Sequence, residues 1–203
     1  MDKLNVLVLE SDTGAADVAQ ESLVEAGHSV VRGHESNHAA FPCNGLSDGG
    51  GCPLEGTPVD VALDVRLHAR THPTATEDGA VCALRQHVPL VVAGPDVLNP
   101  FDGFATENID RDDDIVATVE RAARSPLRRH TEAAARAMRE VLDARELSVA
   151  PRVAVYRRKG SLIVEVAGGE SLDRRTKDMA AVRMHAAVRA LDSHAKGVDV
   201  AFV

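Results

Sequence analysis

Aromatic residues are scarce in this sequence. Only 2% of its 203 residues are Phe, Trp or Tyr, and tryptophan is absent. Proteins that bind single-stranded nucleic acid stack the bases on aromatic side chains, so we expect no nucleic-acid partner of this kind. Hydrophobic residues make up 44% of the chain. This is sufficient for a packed core, which must be built from Val, Leu and Ala.

The sequence also lacks a long apolar run. A membrane-spanning helix requires about 20 predominantly apolar residues, and the longest apolar runs here are far shorter. The opening segment, MDKLNVLVLE, has no basic stretch followed by a long apolar core and a cleavage site. These features predict a cytoplasmic protein with no membrane partner. Its three cysteines, Cys43, Cys52 and Cys82, should then be reduced.

Positive charge is scarce in the first part of the chain. Of the 23 basic and 31 acidic residues, 8 basic and 21 acidic residues lie in residues 1–125, for a net charge of −13. Residues 126–203 hold the other 15 basic and 10 acidic residues, for a net charge of +5. This asymmetry indicates two units with different surfaces, and Ser125-Pro126 is the predicted boundary.

The pattern of residues 1–125 predicts strands that alternate with helices. Strands are expected at 4–9, 28–32, 59–64 and 89–93 with a weaker fifth near 103–106, and helices at 14–25, 77–87 and from about 112 to 124. Continuous apolar strands alternating with helices are typical of a parallel sheet covered on both faces. The predicted fold is therefore a flavodoxin-like doubly wound α/β domain, with a long Gly-, Pro- and Ser-rich loop at 33–58.

Residues 126–203 predict a small α+β domain with the order α-β-β-α-β. The expected elements are a helix at 131–145, a hairpin of 153–158 and 161–166 that turns at Lys159-Gly160, a helix at 172–194 and a strand at 198–203. The apolar face of the second helix is predicted to hold Met179, Val182, Ala186, Val188 and Leu191. Because so small a sheet leaves a marginal surface, we expect pairing with a second copy to form a homodimer.

The chemistry-bearing residues of the first unit follow its strands. In doubly wound sheets the ligand site lies beyond the carboxyl ends of the strands. Glu10, the 33–58 loop, Asp64, His68 and His72 all leave strands at that edge, so we expect them along one shared rim. A metal-dependent enzyme that uses these acids, histidines and cysteines is one interpretation of this arrangement.

The long loop has the residue types of a zinc site. Residues 34–52 read HESNHAAFPCNGLSDGGGC and contain His34, His38, Cys43 and Cys52. Thiolates and imidazoles suit tetrahedral Zn²⁺, and His68 and His72 could complete the ligand set. An iron–sulfur cluster held by the three cysteines and a polar loop with two unligated thiols remain alternatives. Cys82 is expected to be a buried, inert thiol.

Four segments of the first unit resemble the receiver domain of response regulators. They are VLVLESD at 6–12, LVEAGHSVV at 23–31, DVALDVRLH at 60–68 and VPLVVAG at 88–94. The resemblance implies that Asp64 is the phospho-acceptor, with Glu10 and Asp12 as the acids beside it and Mg²⁺ as cofactor if the site is active. Ser11 stands where the family has a second acid and Gly94 where it has a hydroxyl residue.

The cation of the family's site is also missing, since no lysine lies between Lys3 and Lys159. These departures predict a degenerate receiver domain retained for binding protein partners. The second unit is similar to the small modules of alkaline-shock proteins and of the cytoplasmic tails of cation-diffusion transporters, through its hairpin, the helix segment AAVRMHAAVRAL and the closing GVDVAFV. That similarity implies self-association.

Three functions follow from these features. The first is a non-enzymatic regulatory or scaffold protein with a degenerate receiver domain, a Zn²⁺ site on the loop and a self-association module. The second is the metal-dependent enzyme described above. The third is a phospho-accepting response regulator that acts through Asp64, with its output carried by the basic second unit on nucleic acid.

Overall fold

A computed structural model describes residues 3–34, 52–56, 58–193 and 195–203 of the chain. The chain forms two compact units, Met1–Ser125 and Pro126–Val203. Each unit has hydrophobic clusters of its own, two in the first unit and one in the second.

The first unit is built on a five-stranded parallel sheet. Its strands are β1 (Asn5–Glu10), β2 (Ser29–Arg32), β3 (Val61–Val65), β4 (Leu90–Ala93) and β5 (Glu107–Ile109), in the spatial order β2-β1-β3-β4-β5. All four strand pairs are parallel. This mixed α/β architecture confirms the predicted parallel sheet and is flavodoxin-like in its general outline.

Helices cover both faces of this sheet. Helices α1 (Asp17–Glu25) and α4 (Ile115–Ala123) pack on one face, and α3 (Asp78–Arg85) packs on the other with Leu54 of the short helix α2 (Pro53–Gly56). A 3-10 helix, Ala75–Glu77, precedes α3. Side chains along a strand alternate between the two faces. In β3, for example, Val61, Leu63 and Val65 lie on the α1 and α4 side and Ala62 lies on the α3 side.

The second unit contains a separate three-stranded sheet. Helix α5 (Arg128–Ala144) is followed by β6 (Arg152–Arg158), β7 (Ser161–Ala167), α6 (Arg174–Leu191) and β8 (Val198–Phe202), with the spatial order β6-β7-β8. The predicted α-β-β-α-β order is confirmed. Strands β6 and β7 are antiparallel and β7 and β8 are parallel. Lys159 and Gly160 at the hairpin turn both have positive φ, 50° and 80°, as a two-residue type I′ turn requires.

Both helices of the second unit pack on one face of its sheet. The core contains Ala134, Met138 and Leu142 from α5, Ala180, Met184 and Val188 from α6, and Val155, Leu162, Val164 and Val166 from the strands. A buried ion pair between Arg157 of β6 and Asp192, just after α6, closes one end of this layer. Asp192 also accepts a hydrogen bond from the backbone N–H of Ala195 (3.0 Å).

Some predicted details are wrong. The fifth strand is Glu107–Ile109 and not 103–106, because a three-residue edge strand carries little apolar signal. Residues 53–56, predicted as loop, form α2. On α6, the predicted apolar residues Met179, Val182 and Ala186 are exposed. The buried residues are Thr176, Ala180, Met184 and Val188, which follow one another at i+4 spacing. Among the described residues, no helix is long and apolar enough to cross a membrane.

Candidate functional site

Glu10 ends strand β1 on the face that carries α1. One oxygen of its carboxylate accepts hydrogen bonds from the backbone N–H groups of Gly14 (3.1 Å) and Ala16 (3.2 Å), immediately before the helix. The other oxygen pairs with Arg32 Nη1 at 3.2 Å. The carboxylate thus satisfies backbone donors at the entrance of α1, and both of its oxygens are engaged by the protein itself.

Ser11 and Asp12 join the ends of strands β1 and β3. The Ser11 backbone N–H donates to Val65 (3.0 Å), and its hydroxyl accepts a hydrogen bond from the Leu67 N–H (3.1 Å). The hydroxyl in turn donates to Asp12 (2.8 Å), whose other oxygen pairs with Arg70 (2.6 Å). The residue at the position of the family's second acid therefore has a structural role that a carboxylate could not fill, since it could not donate to Asp12.

Asp64 lies inside the sheet and not at its rim. It is the fourth of the five residues of β3, and its exposed fraction is 0%. It shares the α3 side of the sheet with Arg66, the residue after the strand, and with Glu77 of the 3-10 helix, both also 0% exposed. Arg66 Nε donates to Glu77 at 2.7 Å. We call these three residues the buried charge cluster.

The buried charge cluster favours a protonated Asp64. Burial raises the pKa of Asp64 well above its ordinary value, and the nearby Glu77 carboxylate raises it further, while the Arg66 guanidinium opposes both effects. No described donor is in hydrogen-bond geometry with either Asp64 oxygen, and Arg66 Nη1 also has no such partner. A carboxyl group in this environment is a poor nucleophile for phosphoryl transfer, because its charged form is disfavoured and solvent cannot reach it.

Glu10 and Asp64 point to opposite faces of the sheet. In the pairing of β1 with β3, Leu9 is opposite Asp64 and Glu10 is opposite Val65. Registered partners in adjacent strands share a face, and successive residues alternate. The expectation that these two acids converge at one site is therefore wrong. Because Ser11 supplies no second carboxylate and Glu10 is already engaged, the residues present do not fit the Mg²⁺ site of the receiver family.

Gly94, at the position of the family's hydroxyl residue, has no room for a side chain. A Cβ added there would lie 2.7 Å from the backbone oxygen of Arg66 and 2.8 Å from its Cβ. Both contacts are far shorter than van der Waals distance and involve atoms of the strand-β3 exit that cannot rotate away. The hydroxyl that reads phosphorylation in the receiver family could thus not be restored here by substitution alone.

The predicted metal ligands are only partly described. His38 and Cys43 lie outside the described residues. Cys52 is half-buried and not in a disulfide, and Nε2 of His34 is shielded from solvent with no hydrogen-bond partner among the described groups. His68 and His72 are both exposed. Within the described part of the chain, no three His, Cys, Asp or Glu side chains gather as a metal site, so the zinc site stays a prediction.

A further expectation is wrong. Cys82 is exposed on α3 and is not buried, because the helix turns Ala80 and Ala83 toward the sheet.

His28, just before strand β2, is buried, with 5% of its surface exposed. Its Nδ1 accepts a hydrogen bond from the Leu4 N–H (3.3 Å), and its Nε2 lies 3.5 Å from Glu120.

Sequence reasoning overlooked Arg66 and Glu77. Both are charged residues in a polar stretch, where a surface position is the usual expectation. One signal was present for Glu77, since Thr74 and Glu77 have the spacing of a capping box, and that box is formed at the 3-10 helix. No local pattern reveals that the same glutamate reaches Arg66.

Comparison of the chain with protein-family models finds no matching family, and comparison with curated protein sequences finds no match either. The function of the chain therefore has to be inferred from the geometry of its own side chains.

Proposed function

We propose that this chain is a non-enzymatic regulatory or scaffold protein. Its first unit would be a degenerate receiver-like domain that binds protein partners without being phosphorylated. Its second unit would mediate self-association, and its long loop would hold a Zn²⁺ ion. One observation carries the first part of the proposal, namely the complete burial of Asp64 within the buried charge cluster.

The burial of Asp64 argues against phosphoryl transfer on several physical grounds. An aspartate that accepts a phosphoryl group must be ionised, must be reached by the phosphodonor, and must lie beside a metal ion and donors that stabilise the transferring oxygens. Asp64 is 0% exposed and has a raised pKa. Glu10 is on the other face, and Gly94 supplies no hydroxyl. The first unit thus has the parallel sheet but lacks the groups that phosphoryl transfer requires, and this combination supports a role in binding protein partners.

Incubation with acetyl phosphate and Mg²⁺, followed by intact mass spectrometry, tests this proposal. We expect the mass of the full chain to stay unchanged. A gain of one phosphoryl group in the natural chain that is lost in Asp64→Asn would contradict the proposal and favour the phospho-accepting alternative. Asp60→Asn is the matched control, because Asp60 is a second buried aspartate (3% exposed) beside the same strand.

The zinc part of the proposal is supported by the chemistry of the ligand set. Cys52 has a thiol that is not in a disulfide, and His34 has a shielded imidazole nitrogen with no described partner. With His38 and Cys43 from the sequence between them, these residues would supply two sulfur and two nitrogen ligands, a set typical of structural zinc. Binding would supply free energy for ordering the long loop.

Elemental analysis of the purified chain tests the zinc site. We expect about one zinc per chain, lost in Cys43→Ser and in Cys52→Ser. Cys82→Ser is the matched control and should keep its zinc, because Cys82 lies on the exposed face of α3. A well-folded chain without zinc, or a Cys52→Ser variant that retains it, would contradict this part alone.

A further inference from the structure

The sheet of the second unit has one face that no described helix of that unit covers. Helices α5 and α6 both pack on the side of Val155, Leu162 and Val164. The alternate residues point the other way and form what we call the open sheet face: Arg152, Ala154, Tyr156 and Arg158 from β6, Ser161, Ile163, Glu165 and Ala167 from β7, and Asp199 and Ala201 from β8. All ten side chains are half-buried or exposed.

The open sheet face has an apolar centre. Tyr156 is directly opposite Ile163, and Ile163 is opposite Asp199 on the far side. Ala154 and Ala201 flank Glu165 in the neighbouring row. A half-buried Tyr–Ile pair amid small residues is uncommon on a solvated sheet face, where polar residues normally alternate with the core. It has the composition of an interface centre.

The charges of this face are segregated by strand. Strand β6 contributes two arginines, Arg152 and Arg158, and no acid. The acids lie on the other two strands, Glu165 on β7 and Asp199 on β8. A surface that is basic on one side and acidic on the other is complementary to a second copy of itself that is turned over.

We propose that the open sheet face is the self-association interface and that its occupant is the same face of a second copy. This inference rests on the proposed self-association and specifies its surface. A twofold axis parallel to the strands and centred over β7 lays β6 of one copy across β8 of the other. Tyr156 then lies level with Asp199 of the second copy, and Arg158 lies two residues further along the same strand, about 6.6 Å away and within reach of its long side chain. The two Ile163 side chains meet at the axis, as do the two Glu165 side chains. An axis perpendicular to the strands would instead oppose arginine to arginine.

The size of the face predicts a weak dimer. Strands lie about 4.8 Å apart and rise about 3.3 Å per residue, so three strands of about six residues present roughly 15 Å by 20 Å. Two such faces bury roughly 600 Å² in total, which is below the about 1,200 Å² of a standard specific interface and typical of weak, transient contacts. We therefore expect weak, reversible association, with the charge pairs determining orientation.

Sedimentation of the full chain at several concentrations, with charge-reversal variants, tests the inference. We expect Arg158→Glu and Asp199→Arg to weaken dimerisation at least about tenfold each, because each brings like charges together. The double variant should restore dimerisation to within about threefold of the natural chain, since the pairs are re-formed with opposite sign. Thermal unfolding of each variant checks that the second unit remains folded.

A matched control uses an ion pair on the other side of the second unit. Arg174 and Asp178 of α6 are 3.8 Å apart, with side chains 96% and 72% exposed. Reversal of either charge should leave dimerisation unchanged, because α6 packs on the covered side of the sheet.

The outcomes separate the two levels of the proposal. A natural chain that stays monomeric at every concentration overturns both the proposed self-association and this interface. A dimer that is indifferent to reversals at Arg158 and Asp199 overturns the interface alone and points to another surface. A double variant no tighter than the single ones overturns the β6-over-β8 arrangement.

Discussion

Asp64 is the residue whose surroundings differ most from what its sequence context indicates. The two Asp64 oxygens accept no hydrogen bond from a described donor, but the protonated carboxyl can donate one to Glu77, which also raises its pKa. Burying the ionised form without donors would cost additional free energy. Arg66 and Glu77 already neutralise each other through the 2.7 Å contact. Burial is the main reason that the pKa of Asp64 is raised, and the Glu77 carboxylate adds to the shift. A protonated Asp64 also leaves the buried charge cluster neutral.

Asp64→Asn should stabilise the first unit at neutral pH. The pKa of Asp64 is raised in the folded state, so its contribution to stability is fully present below the unfolded pKa. That contribution is lost as pH rises through the folded pKa. The loss amounts to about 1.4 kcal/mol for each pH unit between the two pKa values, and the Asn variant does not incur it.

Urea unfolding of both proteins at several pH values measures this difference. We expect the advantage of Asp64→Asn to shrink as the pH approaches the ordinary pKa of aspartate. Asp60→Asn is the control, because Asp60 accepts a hydrogen bond from the Asn5 N–H (2.9 Å) and should gain nothing. A variant less stable than the natural chain at neutral pH would refute the assignment of a protonated Asp64.

Gly94→Ala should destabilise the first unit by about 1–3 kcal/mol. The added Cβ would press on the backbone oxygen of Arg66 at 2.7 Å, so β3 and β4 would have to separate. Gly103→Ala is the matched control, since nothing lies within 4 Å of a Cβ there. Equal denaturation midpoints for Gly94→Ala and Gly103→Ala would contradict this expectation, because they would mean that β3 and β4 separate at Gly94 without loss of stability.

At the scale of the element, helix α6 shows that the direction of a side chain, and not its residue type, decides whether it is buried. The helix contains two valines that an apolar count treats alike. Val188 is 0% exposed and belongs to the core, whereas Val182 is 69% exposed. The difference arises because the buried residues Thr176, Ala180, Met184 and Val188 form one line along the helix. This line faces α5 and the sheet, and Val182 lies outside it.

Val188→Ala should therefore lower the free energy of unfolding by about 2 kcal/mol. Val182→Ala, its matched control, should leave the free energy unchanged or raise it slightly, because alanine has the higher helix propensity. Chemical denaturation, followed by far-ultraviolet circular dichroism, distinguishes the two variants. Similar losses for both valines would mean that Val182 is covered in solution.

For the whole molecule, the two units should fold separately. Each has its own core, and the division falls between Ser125 and Pro126. Fragments 1–125 and 126–203 should each unfold cooperatively, and the sum of their circular dichroism spectra should reproduce that of the full chain. Their opposite net charges, −13 and +5, should separate them on one ion-exchange column. A fragment that is unfolded alone would show that its stability depends on the other unit.

The sequence alone determined which segments become strands and helices, because those depend on local patterns. Apolar runs predict the first four strands of the first sheet, and Lys159-Gly160 predicts the hairpin turn, since both signals are contained within a few residues. Helix ends shift by a few positions: α1 begins at Asp17 and not at residue 14, because Glu10 orders the intervening turn through its two backbone N–H contacts.

Only the tertiary structure decided where the chemistry-bearing side chains point. Strand β3 continues one residue beyond Asp64, to Val65. Asp64 therefore lies within the strand, and because side chains alternate along a strand, its carboxyl group enters the core on the α3 side and does not lie at the edge of the sheet. The approach of Glu77 to Arg66 and of Arg66 to the Gly94 backbone likewise joins residues far apart in the chain. Such contacts depend on how strands and helices pack, which no local pattern encodes.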